Sequence, residues 1–170
     1  MMNKAILLDR DGVINKDKVD YVYRLEEFII LPGVVEALKG FKEMGYKVIV
    51  ITNQSGIAKG IFTIEDVYKC HDFLQKTTGN LIDKFYICPY HESKSDSLTR
   101  KPGSLMYEKA ITKFNIDISQ SWMAGDKARD LKPARKLGLK TALIGHEDQY
   151  NADFHGDGLI DLYKKIKATT

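Results

Sequence analysis

Short apolar runs alternate with amphipathic segments along the 170 residues, and this order predicts an α/β fold. Strands separated by helices of about ten or more residues pair in parallel through right-handed crossovers. We therefore expect a Rossmann-like three-layer sandwich with a mainly parallel central sheet. No repeat, low-complexity tract or linker interrupts the pattern, so residues 1–170 are predicted to form a single domain.

The predicted strands are the short runs that lack interior charges. The clearest is KVIVIT, in which every residue after Lys47 is β-branched. The run KAILL ends at two acids and suits a fully buried strand. Five strands are predicted in all, at residues 4–8, 47–52, 85–89, 121–125 and 139–145.

The predicted helices carry start and stop signals as well as apolar periodicity. Val34, Leu38 and Phe41 are spaced four and three residues apart, between a Pro-Gly pair and a capping glycine. Thr63 with Asp66 resembles a capping box that starts the next helix. Helices are predicted at residues 34–44, 64–78, 104–114, 130–137 and 159–166.

Composition excludes several classes of function. The 26 basic and 23 acidic residues give a net charge of +3, which is too weak a bias to indicate a nucleic-acid partner. Two cysteines give no disulfide framework, and no run reaches the roughly 20 apolar residues of a membrane span. The N-terminal apolar stretch is too short for a secretory signal, so we expect a cytoplasmic protein.

The stretch ILLDRDGVIN ends a buried strand with two carboxylates, Asp9 and Asp11. An Asx-type turn before Gly12 explains such a pair when it is considered alone. Two carboxylates at the end of a buried strand are costly, however, and a hard divalent cation would remove that cost.

Three more polar stretches follow predicted strands or precede predicted helices. TNQSG at 52–56 can be ordinary turn chemistry or a set of hydrogen-bond donors to phosphate. Arg100 and Lys101 can be a solvated basic pair or an anion site. Asp126 ends another apolar strand, whereas Asp130 is explained as a helix N-cap.

The carboxyl ends of parallel strands meet at one edge of the sheet, so these residues are predicted to converge. Asp9, Asp11 and Asp126 could then hold Mg²⁺. Asp9 would attack phosphorus in line, and Asp11 would serve as general acid and then as general base. Thr52 and Lys101 would stabilise charge on the transferred phosphoryl group.

These residues resemble the four motifs of the haloacid dehalogenase superfamily of phosphatases. DRDG corresponds to the nucleophile and acid/base pair, Thr52 to the second motif, Lys101 to the third and GDKARD to the fourth. ITNQSGI, the CPxH-like stretch and RKP resemble the heptose bisphosphate phosphatases in particular, and histidinol-phosphate phosphatases share nearly the same set. Members of this kind have no large cap domain.

The resemblance implies a Mg²⁺-dependent phosphatase that removes the C7 phosphate of D-glycero-D-manno-heptose 1,7-bisphosphate, a precursor of bacterial surface polysaccharide. It implies a magnesium site formed by Asp9, the backbone carbonyl of Asp11, and Asp126. The substrate contacts that it implies are Asp17, Lys18, Val19, Asp20, Thr52, Asn53, Gln54, Ser55, Arg100, Lys101 and Lys127. We expect a monomer acting on a small phosphorylated metabolite, without nucleic acid or membrane.

One stretch departs from the family pattern, in which Cys-x-His and Cys-x-Cys hold a structural zinc. Here CPYHESKSDSLT keeps Cys88, places His91 one position late and has Ser97 and Thr99 near the missing cysteines. A structural zinc site needs four ligands, and at most two are present. No zinc is expected.

Other functions remain open at this level. Histidinol-phosphate hydrolysis uses nearly the same motifs, and polynucleotide 3′-phosphatases share a TNQ-type second motif, although the weak charge bias disfavours them. A non-catalytic, receiver-like module would also place an aspartate at a strand end. Tyr21 and Tyr23 follow the first motif and could either close over a substrate or pack.

Overall fold

The computed structural model describes residues 1–146 and 148–170. It contains a six-stranded sheet in which every neighbouring pair of strands is parallel. The strands are β1 (Ala5–Leu8), β2 (Lys47–Asn53), β3 (Lys84–Cys88), β4 (Trp122–Gly125), β5 (Lys140–Ile144) and β6 (Phe154–Gly156). Their order is β3-β2-β1-β4-β5-β6.

Five helices cover the two faces of this sheet and complete the three layers. They are α1 (Val34–Glu43), α2 (Ile64–Thr78), α3 (Leu105–Phe114), α4 (Ala128–Lys136) and α5 (Leu159–Ala168). Apolar residues of α1, α2 and α5 belong to one core, and those of α3 and α4 belong to the other. The predicted α/β sandwich is confirmed.

Strand β1 shows why its sequence is apolar without alternation. Ile6 and Leu8 face the core beneath α1 and α5, whereas Ala5 and Leu7 face the core beneath α3 and α4. All four residues are fully buried. A strand covered on both faces needs apolar residues at every position.

Helix α2 begins as its sequence predicts. The Thr63 hydroxyl accepts a hydrogen bond from the Asp66 backbone N–H at 3.3 Å, and Asp66 accepts one from the Thr63 backbone at 3.0 Å. This reciprocal pair is the capping box. The helix ends at Thr78, with Gly79 in the left-handed conformation.

Two features of the fold differ from the sequence-based expectations. Strand β6 was not predicted, because three residues, FHG, are too few to show periodicity. In α3 the apolar pattern predicts Leu105, Ala110, Ile111 and Phe114 as core positions, but the buried residues are Met106, Tyr107 and Ala110, and the other three are half-buried. Within residues 1–146 and 148–170, no helix is both long enough and apolar enough to cross a membrane.

The sheet topology determines where a ligand can bind. The chain reverses direction across the sheet at β1, which lies between β2 and β4. Crevices at such switch points, beyond the carboxyl ends of the strands, are the usual ligand sites of open α/β sheets. The residues after β1, β2 and β4 therefore form the candidate site.

Candidate active site

Three carboxylates converge beyond the ends of β1 and β4. Asp9 directly follows β1, Asp126 directly follows β4, and these strands are paired in the sheet. One oxygen from each of Asp9, Asp126 and Asp130 lies within 4.8 Å of the others. Asp9 and Asp126 are each 5% exposed, and Asp130 is fully buried.

Two glycines make room for this cluster. Gly12 has φ +87°, and a Cβ there would overlap the carboxylate of Asp126. A Cβ at Gly125 would overlap the side chain of Asp130. The glycine of DRDG is therefore required both by its left-handed backbone and by the close approach of a second motif.

Asp130 was predicted to be a helix N-cap, and that prediction is wrong. Helix α4 begins at Ala128, so Lys127 is the N-cap and Asp130 is the third helical residue. Its Oδ2 accepts a hydrogen bond from the Lys127 backbone N–H at 3.1 Å, and its Oδ1 lies 2.7 Å from the ammonium of Lys101. Asp130 therefore caps the start of α4 and also belongs to the carboxylate cluster.

Lys101 lies at the centre of the cluster and is only 2% exposed. Its ammonium lies 2.7 Å from Asp9 Oδ1 and donates to the Ile51 carbonyl at 2.8 Å. Burial acts to lower the pKa of Lys101, but the charges of Asp130 and Asp9 outweigh it and raise the pKa. Lys101 is therefore an ammonium in a fixed position.

The side chain of Asn53 holds the backbone of Lys101 in place. Its Oδ1 accepts a hydrogen bond from the Lys101 N–H at 3.1 Å, and its Nδ2 donates to the Lys101 carbonyl at 3.2 Å. These two bonds connect the end of β2 to the loop before α3. The amide of Asn53 is thus a positioning group for Lys101.

The carboxylates carry more negative charge than their environment compensates. Burial raises the pKa of Asp9 to about 8, and the charge of Asp130 adds to the shift. Burial and the charge of Asp130 also raise the pKa of Asp126 to about 6. A divalent cation would relieve this repulsion and keep both groups ionised.

The donor set fits Mg²⁺, which prefers oxygen ligands from one or two carboxylates. Both oxygens of Asp130 are already engaged, by Lys101 and by the Lys127 backbone. The carboxylates of Asp9 and Asp126 are the groups that could hold the ion. The ion would supply positive charge beside the phosphoryl oxygens.

The carboxylate of Asp11 accepts four hydrogen bonds. Arg10 Nη2 and Asn15 Nδ2 donate to Oδ1, each at 2.9 Å. Arg10 Nε and Gln54 Nε2 donate to Oδ2, at 3.2 Å and 3.0 Å. Burial acts to raise the pKa of Asp11, but the charge and hydrogen bonds of Arg10 outweigh it and lower the pKa. Asp11 is therefore a proton acceptor in this arrangement.

Gln54 links Asp11 to the second motif. Its Nε2 also donates to the Thr52 hydroxyl at 2.8 Å, and both residues are buried. The Thr52 hydroxyl accepts this bond, so its own hydrogen is directed elsewhere. The side chain of Ser55 lies at the wall of the adjoining cavity.

A cavity of about 330 Å³ opens above these carboxylates. Among the predicted substrate contacts, Asp20, Thr52, Lys101 and Lys127 do not line it, whereas the others do. Val22, His91 and Arg129 line the cavity without a predicted contact role, and Tyr21, for which closing over a substrate or packing was left open, lines it as well. The cavity is lined by Asp9, Asp11, Asp17, Lys18, Val19, Tyr21, Val22, Asn53, Gln54, Ser55, His91, Arg100, Asp126 and Arg129.

Aromatic side chains fix the loop after the first motif. Tyr21 has φ +71°, and its hydroxyl accepts a hydrogen bond from Lys59 at 2.9 Å. Tyr23 stacks on Phe62 with a centroid distance of 5.0 Å. The ring of Phe62 occupies the space that a Cβ at Gly56 would take. Tyr21 therefore forms cavity wall, while Tyr23 packs behind it.

The stretch that departs from the zinc-loop pattern is held by ordinary hydrogen bonds. The Thr99 hydroxyl donates to Cys88 Sγ at 3.2 Å and lies 2.7 Å from the Ser97 hydroxyl. Cys88 ends β3 and is fully buried. Its sulfur is engaged with Thr99 at the base of the loop.

This chain is similar to known proteins in both sequence and fold. A family model for haloacid dehalogenase-like hydrolases matches residues 3–138. A D-glycero-beta-D-manno-heptose-1,7-bisphosphate 7-phosphatase of Haemophilus influenzae is 37% identical to this chain. The alignment is 183 positions long and covers 98% of each chain. A D-glycero-D-manno-heptose-1,7-bisphosphate 7-phosphatase of Chlorobaculum tepidum is 37% identical over 168 residues, covering 89% of this chain and 84% of that one.

A solved structure of a heptose bisphosphate phosphatase is also similar to this chain. The D,D-heptose 1,7-bisphosphate phosphatase from B. bronchiseptica, complexed with magnesium and phosphate, has a TM-score of 0.90 and 26% identity. The superposition covers 98% of this chain and 99% of that one. Taken with the carboxylates and the lysine at the strand ends, these similarities show that the chain belongs to the haloacid dehalogenase-like hydrolase family.

Proposed function

We propose that this protein is a Mg²⁺-dependent phosphomonoesterase that removes the C7 phosphate of D-glycero-D-manno-heptose 1,7-bisphosphate. The observation that carries the proposal is the buried contact of Lys101 with Asp9 beside Asp126. The names of the relatives and of the similar solved structure support the substrate.

Binding would place the C7 phosphate beside Asp9, on the floor of the cavity. Asp9 and Asp126, with the backbone carbonyl of Asp11, would hold Mg²⁺, which supplies charge that counters the approach of two anions. Lys101 would contribute a second cation from inside the protein. Arg100 lies at the cavity wall, where it could contact a second anionic group.

In the first step, an oxygen of Asp9 attacks phosphorus in line with the leaving C7 oxygen and forms an aspartyl-phosphate. The leaving oxygen takes a proton from Asp11. Asp11 is ionised in the arrangement described above, so it must be protonated when the substrate enters. Its hydrogen bonds from Arg10 and Gln54 weaken at that point, because a protonated carboxyl is neutral and one of its oxygens carries a proton to donate.

In the second step, Asp11 acts as the base. It takes a proton from a water molecule, which attacks the phosphorus of the aspartyl-phosphate and releases inorganic phosphate. The ionised state favoured by Arg10, Asn15 and Gln54 suits this half of the reaction. This second half regenerates Asp9, so the carboxylate that the first half consumes is restored in each cycle.

We also propose that residues 1–170 act as one domain and as a monomer, with the small phosphorylated sugar as the only partner. Cytoplasmic action is part of the same proposal. The free, buried state of Cys70 and Cys88 fits a reducing compartment.

Phosphate release from a panel of esters, with Mg²⁺ or with EDTA, tests the proposal. The panel contains the heptose 1,7-bisphosphate, histidinol phosphate and a 3′-phosphorylated oligonucleotide. We expect the highest kcat/KM for the bisphosphate and no turnover in EDTA. A higher kcat/KM for histidinol phosphate would replace the proposed substrate, and turnover in EDTA would contradict the role of the metal.

A further inference from the structure

His91 belongs to the stretch in which the zinc-loop pattern is lost, yet its ring lines the same cavity as Asp9 and Asp11. The imidazole is half-buried. The turn that carries it is closed by hydrogen bonds from the backbone N–H groups of Lys94 and Ser95 to the His91 carbonyl, at 2.9 Å and 3.0 Å. These two hydrogen bonds therefore define the backbone under His91.

Ser93 fixes both the orientation of the ring and the position of its proton. The Ser93 backbone N–H donates to His91 Nδ1 at 3.2 Å, and the Ser93 hydroxyl lies 2.8 Å from the same atom. An N–H can only donate, so Nδ1 is the acceptor and the neutral ring carries its proton on Nε2. In residues 1–146 and 148–170, Nε2 forms no hydrogen bond, which leaves a donor for a ligand.

Arg100 contacts the residues before and after His91 in the sequence, Tyr90 and Glu92. Its Nη1 donates to the Tyr90 carbonyl at 3.3 Å, and its Nε lies 3.7 Å from the carboxylate of Glu92. The guanidinium, with 15% of its side chain exposed, also lines the cavity. Arg100 and His91 therefore form one wall, with a guanidinium and an imidazole N–H donor side by side.

This wall lies away from the reacting centre. His91 follows β3, and β3 is separated from β1 by β2, so the two strands lie about 10 Å apart. That separation is comparable with the length of a seven-carbon sugar that carries a phosphate at each end. A substrate of this length with one phosphate beside Asp9 would extend its other end towards the β3 side of the cavity, where His91 lies.

We propose that His91 determines specificity, by donating a hydrogen bond from Nε2 to the second, non-reacting phosphate beside Arg100. This inference rests on the proposed phosphatase function and extends it to a residue of the altered loop. Ser93 is the positioning residue, because it acts on the substrate only through the His91 ring.

The test compares two substrates in four variants. The substrates are the heptose 1,7-bisphosphate and p-nitrophenyl phosphate, which lacks the second phosphate. His91→Gln keeps an amide donor near the position of Nε2, whereas His91→Asn and His91→Ala do not reach it. His155→Ala is the control, because His155 is exposed on β6, at the opposite edge of the sheet.

We expect His91→Asn and His91→Ala to raise KM for the bisphosphate about tenfold or more, as a lost hydrogen bond to a charged group does. Their kcat values and their activity on p-nitrophenyl phosphate should stay near wild type. His91→Gln should restore most of the affinity, and His155→Ala should change neither substrate. Equal losses on both substrates, or no loss on the bisphosphate, would overturn the inference.

A binding measurement separates this inference from the proposed function. Titration calorimetry in EDTA compares the heptose 1,7-bisphosphate with the heptose 7-phosphate. If the wild-type protein supplied with Mg²⁺ releases phosphate from neither ester, the proposed function fails. The inference about His91 then stands only if His91→Ala weakens binding of the bisphosphate more than binding of the 7-phosphate. A wild-type protein that binds both sugars equally would also overturn it.

Discussion

The ammonium of Lys101 lies 2.7 Å from Asp9 Oδ1, although 92 positions separate the two residues along the chain. Both side chains are almost completely buried. The same ammonium lies 2.7 Å from Asp130, so one cation holds two of the three clustered carboxylates. This relationship explains how acids from β1 and α4 remain together inside the protein.

Removing the Lys101 charge should therefore affect both stability and catalysis. We expect Lys101→Met to destabilise the fold by about 3–5 kcal/mol, because a buried ion pair loses one partner. We expect kcat to fall by about 10²–10³, as when a charge-stabilising donor is removed. Urea unfolding and steady-state kinetics measure the two effects.

Lys132→Met is the matched control for this change, because Lys132 is an exposed lysine on α4. It should alter stability by less than about 0.5 kcal/mol and leave kcat unchanged. If Lys101→Met behaved like this control, the contact with Asp9 would have no part in catalysis.

Gly12 provides a second test, because Gly60 shares its positive φ but not its close contact with another residue. Gly12 and Gly60 both have positive φ, +87° and +70°, but a Cβ at Gly60 meets nothing within 4 Å. Both Ala variants pay a conformational cost of about 1 kcal/mol. Only Gly12→Ala should displace the carboxylate of Asp126 and abolish Mg²⁺-dependent phosphate release. Equal activity in the two variants would contradict the close approach of Asp126 to Gly12.

His71 makes stability depend on pH in a predictable direction. It is 4% exposed, stacks on Phe85 at 4.1 Å and lies near the Arg10 charge. Burial lowers its pKa from 6.5 to about 3, and the charge of Arg10 adds to the shift. The unfolded chain therefore binds a proton below pH 6.5 while the folded protein does not.

The contribution of His71 to the free energy of unfolding is complete above pH 6.5. It is lost by about 1.4 kcal/mol per pH unit as the pH falls from 6.5 towards 3. His71→Gln should remove this slope. Comparing the unfolding free energies of the two proteins at pH 7, 6, 5 and 4 isolates the histidine from the carboxylates that titrate in both. Parallel curves would show that His71 is protonated in the folded state.

Magnesium should stabilise the folded protein, because Asp9 and Asp126 converge only there. At a Mg²⁺ concentration about 100 times the Kd, the stabilisation is about 2.7 kcal/mol. Asp126→Asn should reduce it strongly, whereas Asp157→Asn, at an exposed carboxylate, should keep it. Thermal melts with Mg²⁺ and with EDTA provide the measurement. Equal Mg²⁺ stabilisation of both variants would place the ion elsewhere.

The sequence located the residues whose positions follow from strand ends. Asp9 and Asp126 each come directly after an apolar strand, and parallel strands bring such positions together. Asp130 was missed because a carboxylate in the first turn of a helix has a sufficient local explanation as a cap. Its contact with Lys101 depends on the packing of α4 against the loop before α3, which no local pattern encodes.

The hydrogen-bond partners of Asn53 and Gln54 could not be predicted from the sequence either. Asn53 ends β2 and Gln54 directly follows it, and the pattern indicates donors at the strand end without saying what they bind. In the structure, Asn53 binds the backbone of Lys101, and Gln54 binds Asp11 and Thr52. An amide can serve either a phosphate or a neighbouring loop, and only the three-dimensional arrangement distinguishes them.

The central claim is that Asp9 is the nucleophile and needs Mg²⁺ to attack phosphorus. Acid quenching during turnover, followed by borohydride reduction and mass spectrometry, converts a phosphorylated Asp9 to homoserine and identifies it. We expect homoserine at position 9 when Mg²⁺ is present and none in EDTA. Turnover with homoserine at another position, or at none, would contradict it.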